Sequence, residues 1–154
     1  MNTIKPLLLF IMTLSINNMS GQTFNSEFGY SIILPDNWSE YELEDEKNTN
    51  GFFDTSGWTG NLRVTPLNIK TDNPIEFIKR ELTDTNTKEQ NWDKIKAFSY
   101  SEASDDLWIY YWYLIENSKV YICSFTIDSD NKETEKNQRE LLKVETILKT
   151  LKTK

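Results

Sequence analysis

The segment from Asp106 to Asp128, "DLWIYYWYLIENSKVYICSFTID", decides the fold of this 154-residue chain. Two runs rich in aromatic and β-branched residues flank the polar "ENSK", and this arrangement predicts a β-hairpin. A two-residue loop at Asn117–Ser118 would pair Ile115 with Val120 and fix the register of the whole hairpin.

Side chains alternate between the two faces of a strand, so the hairpin divides its residues into two sets. The first set is Trp108, Tyr110, Trp112, Leu114, Tyr121, Cys123, Phe125 and Ile127. The second set is Ile109, Tyr111, Tyr113, Ile115, Val120, Ile122, Ser124 and Thr126. Both sets are mainly apolar, which predicts a central position in the sheet with cover on both faces. The first set is expected to form the core under one helix, and a second helix is expected to cover the other.

The remaining elements follow from periodicity and turn signals. Strands are predicted over 28–35, around Tyr41 and Leu43 in 39–45, on both sides of a turn at Ser56–Gly57 in 51–67, and over 94–104. A helix is predicted to start at Pro74, capped by Asp72 or Asn73, with a buried stripe of Ile75, Ile78 and Leu82. The segment 83–91 is predicted to be a polar loop. The order predicts an α+β fold in which an antiparallel β-sheet packs between helices.

The last segment is predicted to be an amphipathic helix. Asp130 and Glu133 are a candidate capping pair at its start. Its apolar face would consist of Leu141, Val144, Ile147, Leu148 and Leu151.

The composition indicates one domain over residues 22–154. The full chain has a net charge of −7 and 38% hydrophobic residues. An excess of acidic side chains argues against nucleic-acid partners, because phosphate binding depends on Lys and Arg. It also disfavours anionic membrane surfaces. We expect a monomer whose charge serves solubility.

The N-terminus has the layout of a secretory signal peptide over residues 1–21. Lys5 precedes an apolar run from Leu7 to Ile16, and small polar residues follow. Cleavage is expected after Gly21, with Ser20 as the alternative. The run is shorter than a bilayer span, so no stable membrane insertion is expected after cleavage, although an uncleaved anchor is the alternative. We therefore expect an exported protein, periplasmic or extracellular.

The residue inventory excludes several kinds of chemistry. The chain has no His and one Cys, Cys123, which excludes imidazole zinc sites, His-containing triads and an internal disulfide. A calcium loop starting at Asp128 fails, because Glu133 and Arg139 replace its Gly and Glu. No metal or cofactor is expected. Carboxylates could support glycoside hydrolysis, but we interpret them as solvated. These are Glu42, Glu44, Asp45, Glu46, Asp105 and Asp106. An enzyme is not expected.

The candidate binding residues centre on "SGWTGN", from Ser56 to Asn61. Trp58 lies between two glycines on a tight turn, where a large aromatic can be exposed as a binding anchor. The interpretation that we favour is an indole that folds back over the end of the sheet, because large aromatics are mostly buried. The candidate partner-binding residues are Trp58 with Arg63, followed by Tyr111 and Tyr113 on the second face of the hairpin.

Several segments together resemble PsbP-like domains. These are "FGYSIILPDNW" at 28–38, "GNLRVTPL" at 60–67, the aromatic hairpin and the final amphipathic helix. Over most of residues 24–151 the chain more closely resembles a family of uncharacterised secreted proteins from Bacteroidetes-type bacteria. The resemblance implies an α/β/α sandwich and an accessory, assembly or binding role, and it supplies no catalytic residue.

Three hypotheses of function follow from the sequence. The first is an exported, non-enzymatic accessory or binding protein, with another protein as a possible partner. The second is a periplasmic immunity or inhibitor protein that captures a basic toxin or enzyme. The third is a carboxylate-based hydrolase, which no identifiable pair of acids supports.

Overall fold

A computed structural model describes residues 20–154 of the chain. The predicted signal peptide therefore lies outside the described residues, apart from Ser20 and Gly21. The described part contains two α-helices, α1 (Pro74–Glu81) and α2 (Glu135–Leu148), and a short 3-10 helix at Ser129–Asn131. Its strands are β1 (Gly21–Asn25), β2 (Tyr30–Pro35), β3 (Trp38–Tyr41), β4 (Asn50–Asp54), β5 (Gly60–Leu67), β6 (Lys88–Trp92), β7 (Ile95–Ser104), β8 (Leu107–Glu116), β9 (Lys119–Asp128) and β10 (Lys152–Thr153).

The strands form two antiparallel sheets, which confirms the predicted α+β class. A seven-stranded sheet has the order β3-β4-β5-β9-β8-β7-β6, and a three-stranded sheet has the order β1-β2-β10. The β8–β9 hairpin has the predicted register, with Ile115 opposite Val120 and Trp112 opposite Cys123. The hairpin occupies the centre of the large sheet, since β5 pairs with β9 and β7 pairs with β8.

Some strands differ from the predictions. The segment predicted as a polar loop at 83–91 contains most of β6, which pairs with β7 from Lys88 opposite Ser99 to Trp92 opposite Ile95. This edge strand shows no apolar alternation because its side chains are mostly exposed. The strand predicted over 39–45 ends at Tyr41, where its pairing with Gly51 of β4 ends. Strands β1 and β10 were not predicted either, and they flank β2 in the small sheet.

The structure tests the capping residues predicted for each of the two helices. Asn73 caps α1 as predicted, since its side chain accepts the Glu76 N–H at 3.2 Å and Pro74 begins the helix. The capping pair predicted for the last helix is wrong, because a 3-10 turn occupies Ser129–Asn131. The cap of α2 is instead Thr134, whose hydroxyl accepts the Asn137 N–H at 3.2 Å.

The two faces of the large sheet are covered to different extents. The covered face packs against α2 and the small sheet, and includes Leu62, Val64, Trp112, Leu114, Cys123 and Phe125 with Tyr30, Ile32, Val144, Ile147 and Leu148. On the opposite face, α1 buries one end through Ile78 and Leu82 against Phe98, Ile115 and Val120. The sequence predicted that a second helix covers this face, but α1 covers only part of it. The far end of the face, beside Asn61 and Arg63, is accessible. We call it the open face.

Within residues 20–154, no helix is long and apolar enough to cross a membrane.

Candidate binding site on the open face

The turn that follows β4 is built around the carboxylate of Asp54. Its Oδ1 accepts the N–H groups of Ser56 and Gly57, both at 2.9 Å, and the Asn37 side-chain amide at 2.7 Å. Burial opposes ionisation of this carboxyl. These donors together with Lys143 outweigh burial and lower its pKa to about 2. The turn is therefore fixed by a charged acceptor beneath it.

Helix α2 holds the same turn from behind. Lys143 Nζ contacts Asp54 Oδ2 at 3.0 Å, and the Thr59 hydroxyl donates to Asn137 Oδ1 at 3.5 Å. Lys136 Nζ donates to the Trp58 carbonyl oxygen at 3.3 Å. Residues that recur at helical spacing on one side of α2 thus anchor the turn at several points.

Trp58 projects from this turn into solvent, with 60% of its surface exposed. This exposure shows that the interpretation favoured from the sequence, an indole folded back over the sheet, is wrong. The indole N–H donates to Asn61 Oδ1 at 3.1 Å, so its polar group is already bonded. What Trp58 offers a partner is the apolar face of its ring.

Trp58 is part of a cavity of about 410 Å³ on the open face. We call this cavity the aromatic cradle; it is lined by Tyr41, Phe53, Thr55, Trp58 and Asn61. The Tyr41 and Phe53 rings meet edge to face, with centroids 6.1 Å apart and an interplanar angle of 68°. All five lining residues are uncharged, so the cradle presents aromatic rings and neutral hydrogen-bonding groups.

Gly51 allows the Tyr41 ring to lie across β4. A Cβ at position 51 would lie 2.5 Å from Cζ of Tyr41, which is far inside van der Waals contact. The Tyr41 hydroxyl accepts the Nε–H of Arg63 at 3.4 Å, and Arg63 also forms an ion pair with Glu46. Glycine at this position thus lets an aromatic ring approach the backbone of β4 closely and reach Arg63 of β5.

A second cavity of about 560 Å³ lies beside Trp58 and shares Trp58 and Asn61 with the cradle. We call it the flanking groove; Arg63, Leu107, Ile109, Thr126, Asp128 and Lys136 also line it. Its floor is formed by strand residues of the open face. The Trp58 side chain therefore borders two cavities and can contact a ligand in both.

The structure brings two of the four sequence-predicted residues together. Trp58 and Arg63 both line the flanking groove. Tyr111 is on the same face, since Arg63 is opposite Ser124 and Ser124 is opposite Tyr111. Its ring stacks on Tyr100 with centroids 5.0 Å apart. Tyr113 packs against the cluster under α1, away from the cavity-lining set.

Two buried carboxylates lie beneath the site. Glu140 of α2 is 2% exposed, and neither of its oxygens has a hydrogen bond of normal geometry within the described part of the chain. Burial raises the pKa of Glu140, and the negative charge of Asp54 raises it further, while donors on Thr59 and Gly60 offset part of the increase. Neither Asp54 nor Glu140 lines the cradle or the groove.

The remaining candidate groups for catalysis are the carboxylates that the sequence nominated and the thiol of Cys123. The carboxylates that the sequence nominated, from Glu42 to Glu46 and at Asp105 and Asp106, are exposed. Cys123 is fully buried, and burial raises the pKa of its thiol above the usual range. Over residues 20–154, no group of three His, Cys, Asp or Glu side chains could hold a metal ion.

The sequence of residues 20–153 matches the model of the family described as "Domain of unknown function (DUF3805)". The chain belongs to this family. A comparison of the DUF3805 chain with curated proteins gave no match.

Solved structures similar to the DUF3805 chain support the fold. A crystal structure from Bacteroides thetaiotaomicron aligns with a TM-score of 0.61 at 20% identity over 88% of this chain. The alignment spans 49% of the Bacteroides protein, about half of its length. The solution structure of cyanobacterial PsbP from Synechocystis aligns with a TM-score of 0.56 at 12% identity, covering 91% of this chain and 96% of that one. The expected PsbP-like fold is confirmed.

Part of the candidate site of the DUF3805 chain was not predicted from the sequence. Phe53 lies between buried residues of β4 and Tyr41 ends β3, and their meeting depends on the pairing of these two strands. Asn61 follows Trp58 by three residues, a spacing that could have suggested the indole contact. The "DTSG" of residues 54–57 is a side-chain-capped turn signature that could have identified Asp54. Glu140 carries no such signal, because its burial depends on how α2 packs.

Proposed function

We propose that this DUF3805 protein is an exported, non-enzymatic binding protein that holds its ligand against Trp58 on the open face. The observation that carries the proposal is an exposed tryptophan on a turn that polar contacts with Asp54, Lys136 and Asn137 hold in place. Tryptophan is enriched among the residues that dominate binding energy.

The rigidity of the turn supports this role. A ligand that meets Trp58 does not have to order the loop, because Asp54, Lys136 and Asn137 already hold it. Such preorganisation lowers the entropic cost of association. A turn stabilised only for folding would not need to hold its largest apolar side chain in water.

The chemistry of the cavity walls supports binding over catalysis. The cradle is lined by neutral groups, and Arg63 at its border is paired with Glu46. General acid–base catalysis near neutral pH favours a carboxyl, imidazole or amine within hydrogen-bonding reach of the substrate, and no such group among the described residues lines the cradle. Export is supported by the composition of residues 1–21, which has the layout of a signal peptide.

Photo-crosslinking in living cells tests the proposal. A benzoylphenylalanine at position 55 would place the probe in the cradle, and the same probe at exposed position 142 on α2 is the matched control. We expect adducts of raised mass from position 55 and none from position 142, with the protein in the periplasmic or extracellular fraction. Equal adducts at both positions, or none, would contradict a dedicated site. A basic protein as the adduct would favour the immunity alternative.

A further inference from the structure

We propose that the ligand is a neutral sugar chain, with one sugar ring against the aromatic cradle and the next sugars continuing past Trp58 into the flanking groove. The inference rests on the proposed function and names the ligand class of the same site. Three properties of the site carry it: the ring faces, the hydrogen-bonding groups between them, and the charge balance.

The ring faces suit pyranose sugars. A pyranose presents axial C–H groups on its flat faces, and these pack against aromatic rings. Trp58 offers such a ring face, since its N–H is occupied by Asn61. Tyr41 packs over Gly51 in the same cavity, so the cradle has aromatic side chains besides Trp58.

The hydrogen-bonding groups are single and neutral. The Thr55 hydroxyl donates to the Asn37 carbonyl, which leaves its oxygen to accept. The Asn61 carbonyl oxygen accepts the Trp58 N–H, and this fixes the amide plane from which Nδ2 donates. Thr126 adds a hydroxyl in the groove. Sugar hydroxyls donate and accept, so they match isolated groups of both kinds beside apolar surface.

The charges of the site are balanced. Arg63 is paired with Glu46, and Lys136 of the groove donates to the Trp58 carbonyl with Asp128 along the same lining. An acidic sugar chain would meet Lys136 together with Asp128 in the groove, and its charge would be repelled by the net −7 of the chain. A cationic chain would meet no unpaired acid in the cradle. A neutral chain fits both conditions.

Affinity electrophoresis tests the ligand class with the full chain. Native gels containing soluble cellulose derivative, xylan, mannan or starch are compared with a gel without polymer and with a pectate gel as the acidic control. We expect at least one neutral polymer to retard the protein. Trp58→Ala should weaken that binding by about tenfold or more, as for an anchor residue, while Leu142→Ala, on α2, should leave it unchanged.

A second variant probes the cradle without removing an exposed aromatic. Gly51→Ala should displace the Tyr41 ring and reduce retardation while Trp58 stays in place. The proposal is overturned if no neutral polymer retards the protein, if only pectate does, or if Trp58→Ala binds like the wild type. A protein adduct at position 55 together with no retardation would refute the sugar ligand and leave the binding function standing. Failure of both experiments would refute both.

Discussion

The covered and open faces of the seven-stranded sheet come from the same strands and differ in what lies above them. On the covered face, Phe125 and Leu62 are fully buried under α2 and the small sheet. Their strand neighbours on the open face, Thr126 and Asn61, are partly accessible and line cavities. A shift of one residue along a strand thus separates the core from the candidate site.

The contrast shows how a short helix sets the extent of a site. Helix α1 has eight residues and covers only the end of the open face near Ile115 and Val120. The end that carries Trp58 has no such cover within residues 20–154. Apolar strand residues under α1 therefore give way, beyond the helix, to a mixture of aromatic and hydroxyl residues that are partly accessible to solvent.

The largest change in stability is expected from a substitution on the covered face. Phe125→Ala removes a side chain with no exposed surface, and we expect unfolding to become easier by about 3–5 kcal/mol, because burial is lost and a cavity remains. Thr126→Ala, on the open face of the same strand, should change stability by less than about 0.5 kcal/mol. Urea denaturation of both variants measures the difference. Similar losses would mean that the open face is also core.

The hairpin explains why much of the fold could be predicted. Its turn and alternation fix the register, and the apolar set around Trp112 and Phe125 requires cover. The helix pattern of the C-terminal segment supplies that cover through Val144 and Ile147. Edge strands β1 and β6 could not be predicted in this way, because backbone pairing defines them and their exposed side chains carry little periodicity.

The next effect concerns the carboxylate that supports the Trp58 turn. Asp54→Asn removes the ion pair with Lys143 and weakens the acceptor for Ser56 and Gly57, so we expect a loss of about 2 kcal/mol at neutral pH. Because the folded-state pKa is lowered to about 2 from 3.8, the contribution of Asp54 is present above the ordinary pKa and disappears as pH falls toward 2. Stability curves of the two proteins should therefore converge in acid. Parallel curves would contradict the role of the charge.

The contribution of Glu140 to stability should depend on pH in the opposite direction. Its folded-state pKa is raised above 4.5, so wild-type stability falls as pH rises through the folded-state value. Glu140→Gln should therefore stabilise the protein at neutral pH by about 1–2 kcal/mol and have little effect at acid pH, where Glu140 is protonated. Thermal unfolding across this pH range measures it, with Glu135→Gln on the exposed part of α2 as control. A loss of stability at neutral pH would show that the ionised carboxylate is satisfied.

A smaller loss of stability is expected from a substitution at Gly51, where the Tyr41 ring lies close to the backbone of β4. Gly51→Ala places a Cβ against the Tyr41 ring, which can swing away because it is partly exposed. We expect a loss of about 1 kcal/mol, the lower end of the cost of overpacking. The Tyr41→Ala, Gly51→Ala double variant is the control, since its alanine at 51 meets no ring. If both versions of Gly51→Ala cost the same, the clash with Tyr41 is not the cause.

The candidate site was predicted only in part, for a physical reason. Trp58 was found because two glycines and a polar turn isolate it in the sequence. Tyr41 lies seventeen residues earlier and contributes because Gly51 lets its ring cross β4, a contact that periodicity does not encode. Tyr113 was nominated by strand parity alone, which fixes the face of a side chain but not whether a helix ends above it.

The smallest expected effect on stability is at the centre of the proposed site. Trp58→Ala should change the free energy of unfolding by no more than about 0.5 kcal/mol, because most of the side chain is in water and the turn is held through its backbone and through Asp54. Trp58→Phe should lower acrylamide quenching of tryptophan fluorescence, since Trp38 and Trp112 are buried and Trp92 and Trp108 are partly so. A destabilisation close to that of Phe125→Ala would make Trp58 part of the fold. If Trp58→Ala leaves stability unchanged and abolishes the crosslink at position 55, Trp58 contributes to binding and not to folding. The two faces of the sheet would then differ in function as well as in burial.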